Sequence, residues 1–297
     1  MLGFSALVAG SFSLGALATP HIDPSALTAL RFVLAAPLVG IAAWVGGGLH
    51  RGIWRAPWRY AVLAVLMAAY FILMFEGLRS ADAVSTAAVF TLTPLMAAGF
   101  GWVLLRQAMT RRIALALILG AAGALWVIFR ADLDRLWALE IGRGEAIYFW
   151  GCAAHALYTP LVRRLNRGET AAAFTFGTLV IGAGLVLLWA LPELRRANWA
   201  EMPVVVWVTL AYTSVAATAA TFVLVQFASL RLPAAKVMAY TYLTPSWVLL
   251  WELALARPAP PVTVLAGLGL TLIALWLLLD GENLPKPPPP VGPAGQS

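Results

Sequence analysis

The chain has little of what soluble chemistry is built from. Its 297 residues hold one cysteine, Cys152, inside an apolar run, so neither a disulfide framework nor a thiolate metal site is available. Only 11% of residues are charged, against roughly 25% in an ordinary soluble domain. Lys236 and Lys286 are the only lysines, and the arginines are scattered between apolar runs with no basic face. The formal net charge of +7 therefore does not point to nucleic acid. A Gly-rich phosphate loop and a nucleotide-binding domain are both missing, which argues against ATP drive. No His/Cys/Asp cluster has metal-ligand spacing, and no nucleophile, base and orienting residue assemble by spacing. The expectation is no enzyme, no catalytic residue, no metal and no cofactor. Sugar phosphates and nucleotide sugars need buried cationic clamps, so phosphate-bearing substrates are disfavoured as well.

What is present is apolar. Hydrophobic residues make up 62% of the chain, with a mean hydropathy of +0.85. A soluble fold of that composition would expose more apolar surface than monomers tolerate. The fold class expected is an all-α membrane protein. A membrane helix needs about 20 mostly apolar residues. Ten such runs are visible, at 2–19, 25–45, 58–78, 82–105, 113–129, 144–163, 170–191, 203–228, 234–256 and 261–279. Short Pro-, Gly- and Arg-bearing breaks separate them, such as Gly46-Gly47-Gly48 and Arg195-Arg196. Ala16-Leu17-Ala18 resembles a signal-peptide cleavage site, but a basic n-region is lacking, so the first run reads as a span. The segment 281–297, with Pro287 to Pro290 in a row, reads as a disordered Pro-rich tail.

Orientation follows from Arg and Lys in the short loops. With the N-terminus inside, twelve basic residues lie on inner segments, among them Arg51, Arg55, Arg59, Arg163 and Arg164; seven lie outside, among them Arg79, Arg130 and Arg195. Both termini are therefore expected in the cytoplasm of a bacterium, with the chain in its inner membrane.

The chain also matches itself at an offset of 151 residues. Ala68-Ala69-Tyr70-Phe71-Ile72-Leu73 aligns with Ala219-Ala220-Thr221-Phe222-Val223-Leu224, and Leu92-Thr93-Pro94 falls on Leu243-Thr244-Pro245. Shared apolar composition is the alternative account. Read as a repeat, residues 1–130 and 144–280 each hold five spans, and an odd number makes the second unit insert inverted. Inverted repeats underlie many secondary transporters, with the substrate site near mid-membrane between the repeats.

Ten spans in two five-span repeats, with Ala29-Leu30-Arg31-Phe32 in span two and the paired Leu-Thr-Pro elements, resemble the drug/metabolite transporter superfamily, EamA type. The resemblance implies a metabolite carrier, often an amino-acid exporter, with a cavity lined by spans one, three, four, six, eight and nine. It also implies that Arg31 is the family's usual arginine, read here as structural or snorkelling. A Gly-Glu pair often follows spans four and nine in such proteins. Here those places read Arg106-Gln107 and Arg257-Pro258.

Polar side chains in hydrocarbon are costly and face a cavity or a partner. His155 and Tyr158 share one face of span six. The histidine either binds substrate or relays a proton, or is a neutral group bonded to a neighbouring helix. Met67, Tyr70 and Met74 form a soft stripe on span three, and Tyr70 maps onto Thr221. Span four carries Thr86, Phe90 and Thr93; span eight carries Tyr212 and Thr221; span nine carries Tyr240, Thr244 and Trp247. Packing explains any one of these. Together they suggest a wide, uncharged, aromatic-rich pocket, with Tyr70, Met74, Phe90, His155, Tyr158, Tyr212, Thr221, Tyr240 and Trp247 as substrate-binding candidates. Pro94 and Pro245 are the candidate hinges, or fixed bends. His155, Glu252 and Glu76 are the candidates for proton coupling, although Arg79 at i, i+3 makes Glu76 half of a helix-end ion pair.

The expected function is export of small amphipathic metabolites, aromatic or hydrophobic amino acids foremost, by alternating access. The partners expected are a small-molecule substrate and the lipid bilayer, with no nucleic acid and no obligate protein partner. A multidrug or organic-cation exporter using Glu252 or Glu76 is the alternative. A membrane-embedded enzyme and a non-transporting scaffold are the remaining classes.

Overall fold

The structure, a computed structural model, describes residues 1–49, 51–107, 109–138, 141–257 and 261–279. Among these, every regular element is helical. In chain order they are α1 (Leu2–Ala18), α2 (Pro24–Val45), α3 (Trp58–Gly77), α4 (Ala83–Phe90), α5 (Thr93–Leu105), α6 (Arg111–Ile128) and the short α7 (Leu133–Trp137). Then come α8 (Arg143–Leu165), α9 (Ala171–Arg196), α10 (Val204–Ser214), a π-helical segment (Val215–Ala220), α11 (Thr221–Ser229), α12 (Ala234–Ala239), α13 (Thr244–Ala254) and α14 (Val264–Leu279). The expected tail at 281–297 lies outside the described residues, as does Pro258.

Local sequence sets the helix starts. Asp23 accepts a hydrogen bond from the Ser25 N–H at 2.8 Å, with Pro24 in the first turn of α2. Asp82 does the same for Ser85 at 2.7 Å, and Thr110 and Thr170 cap α6 and α9. Each supplies an acceptor to a backbone donor that the helix leaves open. Among the described residues, six stretches are long and apolar enough to cross a membrane: α2, α3, Ala83–Leu105, α6, α9 and Val204–Ser229. α1 and α14 are apolar but shorter. α8 has the length but carries Glu145, His155, Arg163 and Arg164. By length and composition, six of the ten expected runs qualify.

Two of the runs are broken. Thr91 and Leu92 separate α4 from α5, and a 3-10 turn, Tyr240–Leu243, separates α12 from α13. The breaks keep the 151-residue offset: α4 and α12 start at Ala83 and Ala234, α5 and α13 at Thr93 and Thr244. Pro94 and Pro245 sit in the first turns of α5 and α13, where a missing N–H costs no helical bond. The sequence pattern placed each proline inside a continuous, kinked span. The structure corrects this: each run is interrupted upstream, and the proline begins its second half.

Small residues set the closest approaches. α6 packs along α14 with Gly123 against Gly267, where a methyl added at Gly123 would lie 2.6 Å from the Gly267 carbonyl oxygen. Gly269 has open space at the same position. Large apolar side chains such as Trp44, Trp189 and Trp276 face outward, as a lipid-facing surface requires. The protein is an integral membrane protein.

Interactions between the loops define two sides. On one, Arg59 pairs with Glu169, and the Gln107 Oε1 accepts from the Ala234 N–H at 3.1 Å, capping α12. Gln107 stands where the family resemblance leads one to look for glutamate. On the other side, Arg79 lies 3.8 Å from Asp23, and Arg130 lies 3.5 Å from Asp82.

Candidate functional site: a closed aromatic cavity around Arg31

A cavity lies where α1, α2, α3, α8, the π-helical segment and α11 converge. Its open volume is about 10 Å³, roughly one water molecule. Helical periodicity puts Met67, Tyr70 and Met74 on one face of α3, and all three line it. α8 contributes His155 and Tyr158, one turn apart; α11 contributes Thr221 and Phe222. Five of the residues singled out from sequence thus meet here: Tyr70, Met74, His155, Tyr158 and Thr221.

Phe90 stands one layer behind. Its ring stacks on His155 at 5.5 Å and on Tyr70 at 5.7 Å, while Tyr70 stacks on His155 at 4.4 Å. The three rings make one buried cluster that fixes the imidazole plane.

Three candidates lie elsewhere. Tyr212 turns towards α1, where its hydroxyl donates to the Leu7 carbonyl at 2.8 Å and its ring occupies the space beside Gly10. Tyr240 and Trp247 pack against the core from the broken α12–α13 column and do not line the cavity. The other hydroxyls of α10 have local partners: Thr209 donates to the Leu14 carbonyl at 3.1 Å, and Thr213 to the Thr209 carbonyl at 2.7 Å. The lining differs from the implied set of spans accordingly. The second run enters, while the fourth and ninth stay behind it.

The second run enters through Arg31, and of its two readings, structural or snorkelling, the second is corrected. Arg31 does not snorkel; it is fully buried and lines the cavity. Its Nε donates to Thr218 Oγ1, and its Nη2 donates to the Ala217 carbonyl at 2.7 Å. Both acceptors belong to the π-helical segment, whose i→i+5 bonding loosens the regular ladder. The guanidinium carbon stands 3.5 Å from the centroid of the Phe71 ring, a cation–π contact. The pocket is aromatic, as expected, but it is neither wide nor uncharged.

Three buried polar atoms of the lining have no protein partner, Ser11 Oγ, Arg31 Nη1 and His155 Nδ1, while the Tyr158 hydroxyl lies beside the Gln226 side chain. A buried polar group left unbonded costs about 1–3 kcal/mol. Several around one cavity give it hydrogen-bonding capacity that a polar ligand or a water can use. Sequence reasoning missed Ser11 and did not place Arg31 at the cavity. The available signal was that Arg31 is ionisable and lies about 10 Å along α2 from its start.

The carboxylates are distributed otherwise. Glu76 pairs with Arg79 at 2.9 Å on the surface. Glu252 lines a separate groove of about 460 Å³ with Asp82 and Arg130, at the ends of α4, α6, α13 and α14. Glu145, unnoticed in the sequence, is buried and accepts from Ser85 Oγ at 2.7 Å. Arg59 and Glu169 form a buried pair at 2.6 Å, and Arg59 Nη1 also donates to the Leu165 carbonyl at 2.7 Å. Burial pushes the Glu169 carboxyl up, but the Arg59 guanidinium and backbone N–H groups hold it below the usual carboxylate range. No group of three or more His, Cys, Asp or Glu able to hold a metal occurs among the described residues.

Comparisons place this geometry among known proteins. The uncharacterized transporter YyaM of Bacillus subtilis (strain 168) is 26% identical over 280 residues, covering 94% of this chain and 91% of the relative. A solved crystal structure with 19% sequence identity superposes with a TM-score of 0.71 over 93% of this chain and 95% of that one, which shows a shared fold. Residues 1–129 and 142–280 both match the EamA-like transporter family. The family match and the relative's description both indicate a transporter rather than an enzyme. The chain belongs to the EamA-like transporter family.

Proposed function

We propose that the chain is a ten-helix secondary transporter of the bacterial inner membrane. It exports small amphipathic metabolites, with aromatic or hydrophobic amino acids as the preferred cargo. In this reading residues 1–130 and 144–280 are inverted five-helix repeats, and both termini are cytoplasmic. The observation that carries it is the cavity: rings and thioethers surround unpartnered polar groups, and both family-matched segments contribute. Inverted-repeat transporters hold their substrate at such an interface. An open volume of about 10 Å³ admits no amino acid, so in this reading the lining has to move apart for cargo to enter. Transport then requires the helices around the cavity to separate towards each side in turn. The paired breaks ahead of Pro94 and Pro245 are the proposed hinges, because few backbone bonds resist rotation there. Of the proton-coupling candidates, His155 is the one that lines the cavity, while Glu76 and Glu252 lie outside it.

The organic-cation alternative needs a carboxylate at the cargo. The cavity lining holds Arg31 and no acidic residue; Glu76 is paired on the surface, and Glu252 faces another groove. That distribution favours the amino-acid reading. Efflux from proteoliposomes loaded in parallel with labelled phenylalanine, threonine and a lipophilic quaternary cation tests it. Fastest efflux of phenylalanine supports the proposal, and its response to a pH gradient reports proton coupling. Movement of the cation alone overturns it.

A further inference from the structure

Arg31 is a buried cation without a counter-ion. No carboxylate among the described residues pairs with it, and its protein partners are a hydroxyl, a carbonyl and an aromatic face. Those partners engage one edge of the guanidinium. The other edge ends in Nη1, which has no protein partner. An unneutralised charge in a dry, low-dielectric site is costly. A guanidinium edge of this kind presents planar N–H donors that match a carboxylate better than any neutral acceptor.

The rest of the lining decides what that carboxylate is attached to. Phe4, Met67, Met74 and Phe222 offer an apolar bed. Ser11, His155 and Tyr158 offer neutral hydrogen-bonding groups. No acidic side chain lines the cavity, so nothing there neutralises an ammonium. The site thus discriminates by charge in one direction only.

We propose that Arg31 Nη1 binds the cargo's carboxylate, and that the cargo class is apolar monocarboxylates, with an α-amino group tolerated but not required. The inference rests on the proposed transport role of this cavity and narrows its substrate class. It predicts that arylalkanoates lacking nitrogen bind the same site as aromatic amino acids. Arylalkylamines lacking the carboxylate do not.

The test uses the purified full chain in two readouts. In proteoliposomes, unlabelled 3-phenylpropionate, phenethylamine and sodium phosphate compete separately against efflux of labelled phenylalanine. In detergent, the same three compounds are scored by the thermal shift they produce. In the wild type, 3-phenylpropionate should compete at concentrations comparable with phenylalanine, and phenethylamine should be weaker by about tenfold or more, the worth of one charge-assisted hydrogen bond. In Arg31→Gln the preference for acid over amine should fall to near unity, and Arg31→Lys should retain part of it. A purely structural arginine would lower the folded yield while leaving that ratio unchanged. Should Arg31→Gln fail to fold, the wild-type ranking and Arg31→Lys decide the matter. Phenylalanine efflux without a preference for acid over amine overturns this inference and leaves the exporter reading standing. An Arg31-dependent thermal shift by 3-phenylpropionate with no efflux of any compound supports the carboxylate site and overturns the transport reading. Equal effects of phosphate and 3-phenylpropionate overturn the inference, since the guanidinium then holds any anion. So does absence of both shift and competition by 3-phenylpropionate.

Discussion

Arg31 and Arg59 are both almost fully buried, on successive helices, yet their surroundings differ in kind. Around Arg59 the charge is met within the chain: Glu169 at 2.6 Å neutralises it and the Leu165 carbonyl takes a further N–H, while Nε has no partner. Around Arg31 the protein supplies dipoles and a ring face but no counter-ion, and Nη1 has no partner in a residue that lines the cavity. A buried charge with its counter-ion built into the chain ties elements together, here the start of α3 to the connection between α8 and α9. A buried charge without one is a site whose counter-ion comes from elsewhere. The same residue type, at similar burial, thus serves closure in one region and recognition in the other.

The largest expected effect comes from breaking the closed region. Glu169→Gln leaves Arg59 buried and uncompensated, which should destabilise the protein by about 3–5 kcal/mol. A drop in melting temperature in detergent, without a change in which compounds stabilise the protein, is the expected outcome. Replacing both partners, Arg59→Met with Glu169→Met, should recover most of that loss, because an apolar pair needs no neutralisation. Failure of the double variant to recover would mean that the Leu165 bond, rather than the pair, holds the rim.

The recognition region responds differently. Tyr70→Ala removes a ring stacked on His155 and Phe90, and should slow phenylalanine efflux by about tenfold while sparing threonine, from loss of aromatic contacts worth about 0.5–1.5 kcal/mol each. Unchanged efflux of every compound would remove this cavity from the pathway.

Acidity sharpens the contrast further. Glu169 is held below the usual carboxylate range, so its pair with Arg59 contributes stability at neutral pH. That contribution is lost as the pH falls through its folded pKa. The wild-type melting temperature should therefore decline on acidification below the carboxylate range, and the decline should be shallower in the double methionine variant. The smallest effect belongs to Glu76→Gln. Its ion pair with Arg79 is exposed, so stability should move by about 0.5 kcal/mol or less and efflux not at all. Loss of transport there would restore the cation-exporter alternative.

Much of this was legible along the chain. Composition placed the protein in a membrane, because no soluble fold hides so much apolar surface. Helical spacing put Met67, Tyr70 and Met74 on one face, and His155 and Tyr158 on another. The offset of 151 residues paired Pro94 with Pro245, although it gave no sign that each run is broken upstream of its proline. Other points were not legible. In a soluble helix the apolar face is the buried face, but here lipid-facing and core-facing sides are both apolar, so periodicity does not say which stripe turns inward. Tyr212, Tyr240 and Trp247 have the spacing of a lining stripe and are claimed by packing instead. Pro94 fits a kink as well as a first turn, and only the tertiary arrangement decides.

The sequence by itself determined the class of protein, the helical material and the family, since these depend on composition and on patterns within one segment. Tertiary structure decided which arginine is neutralised and which is left open. Arg31 and Arg59 look alike in a string of residues. Their difference lies in Thr218, Ala217 and Glu169, more than a hundred residues away along the chain, and charge burial is settled by neighbours in space.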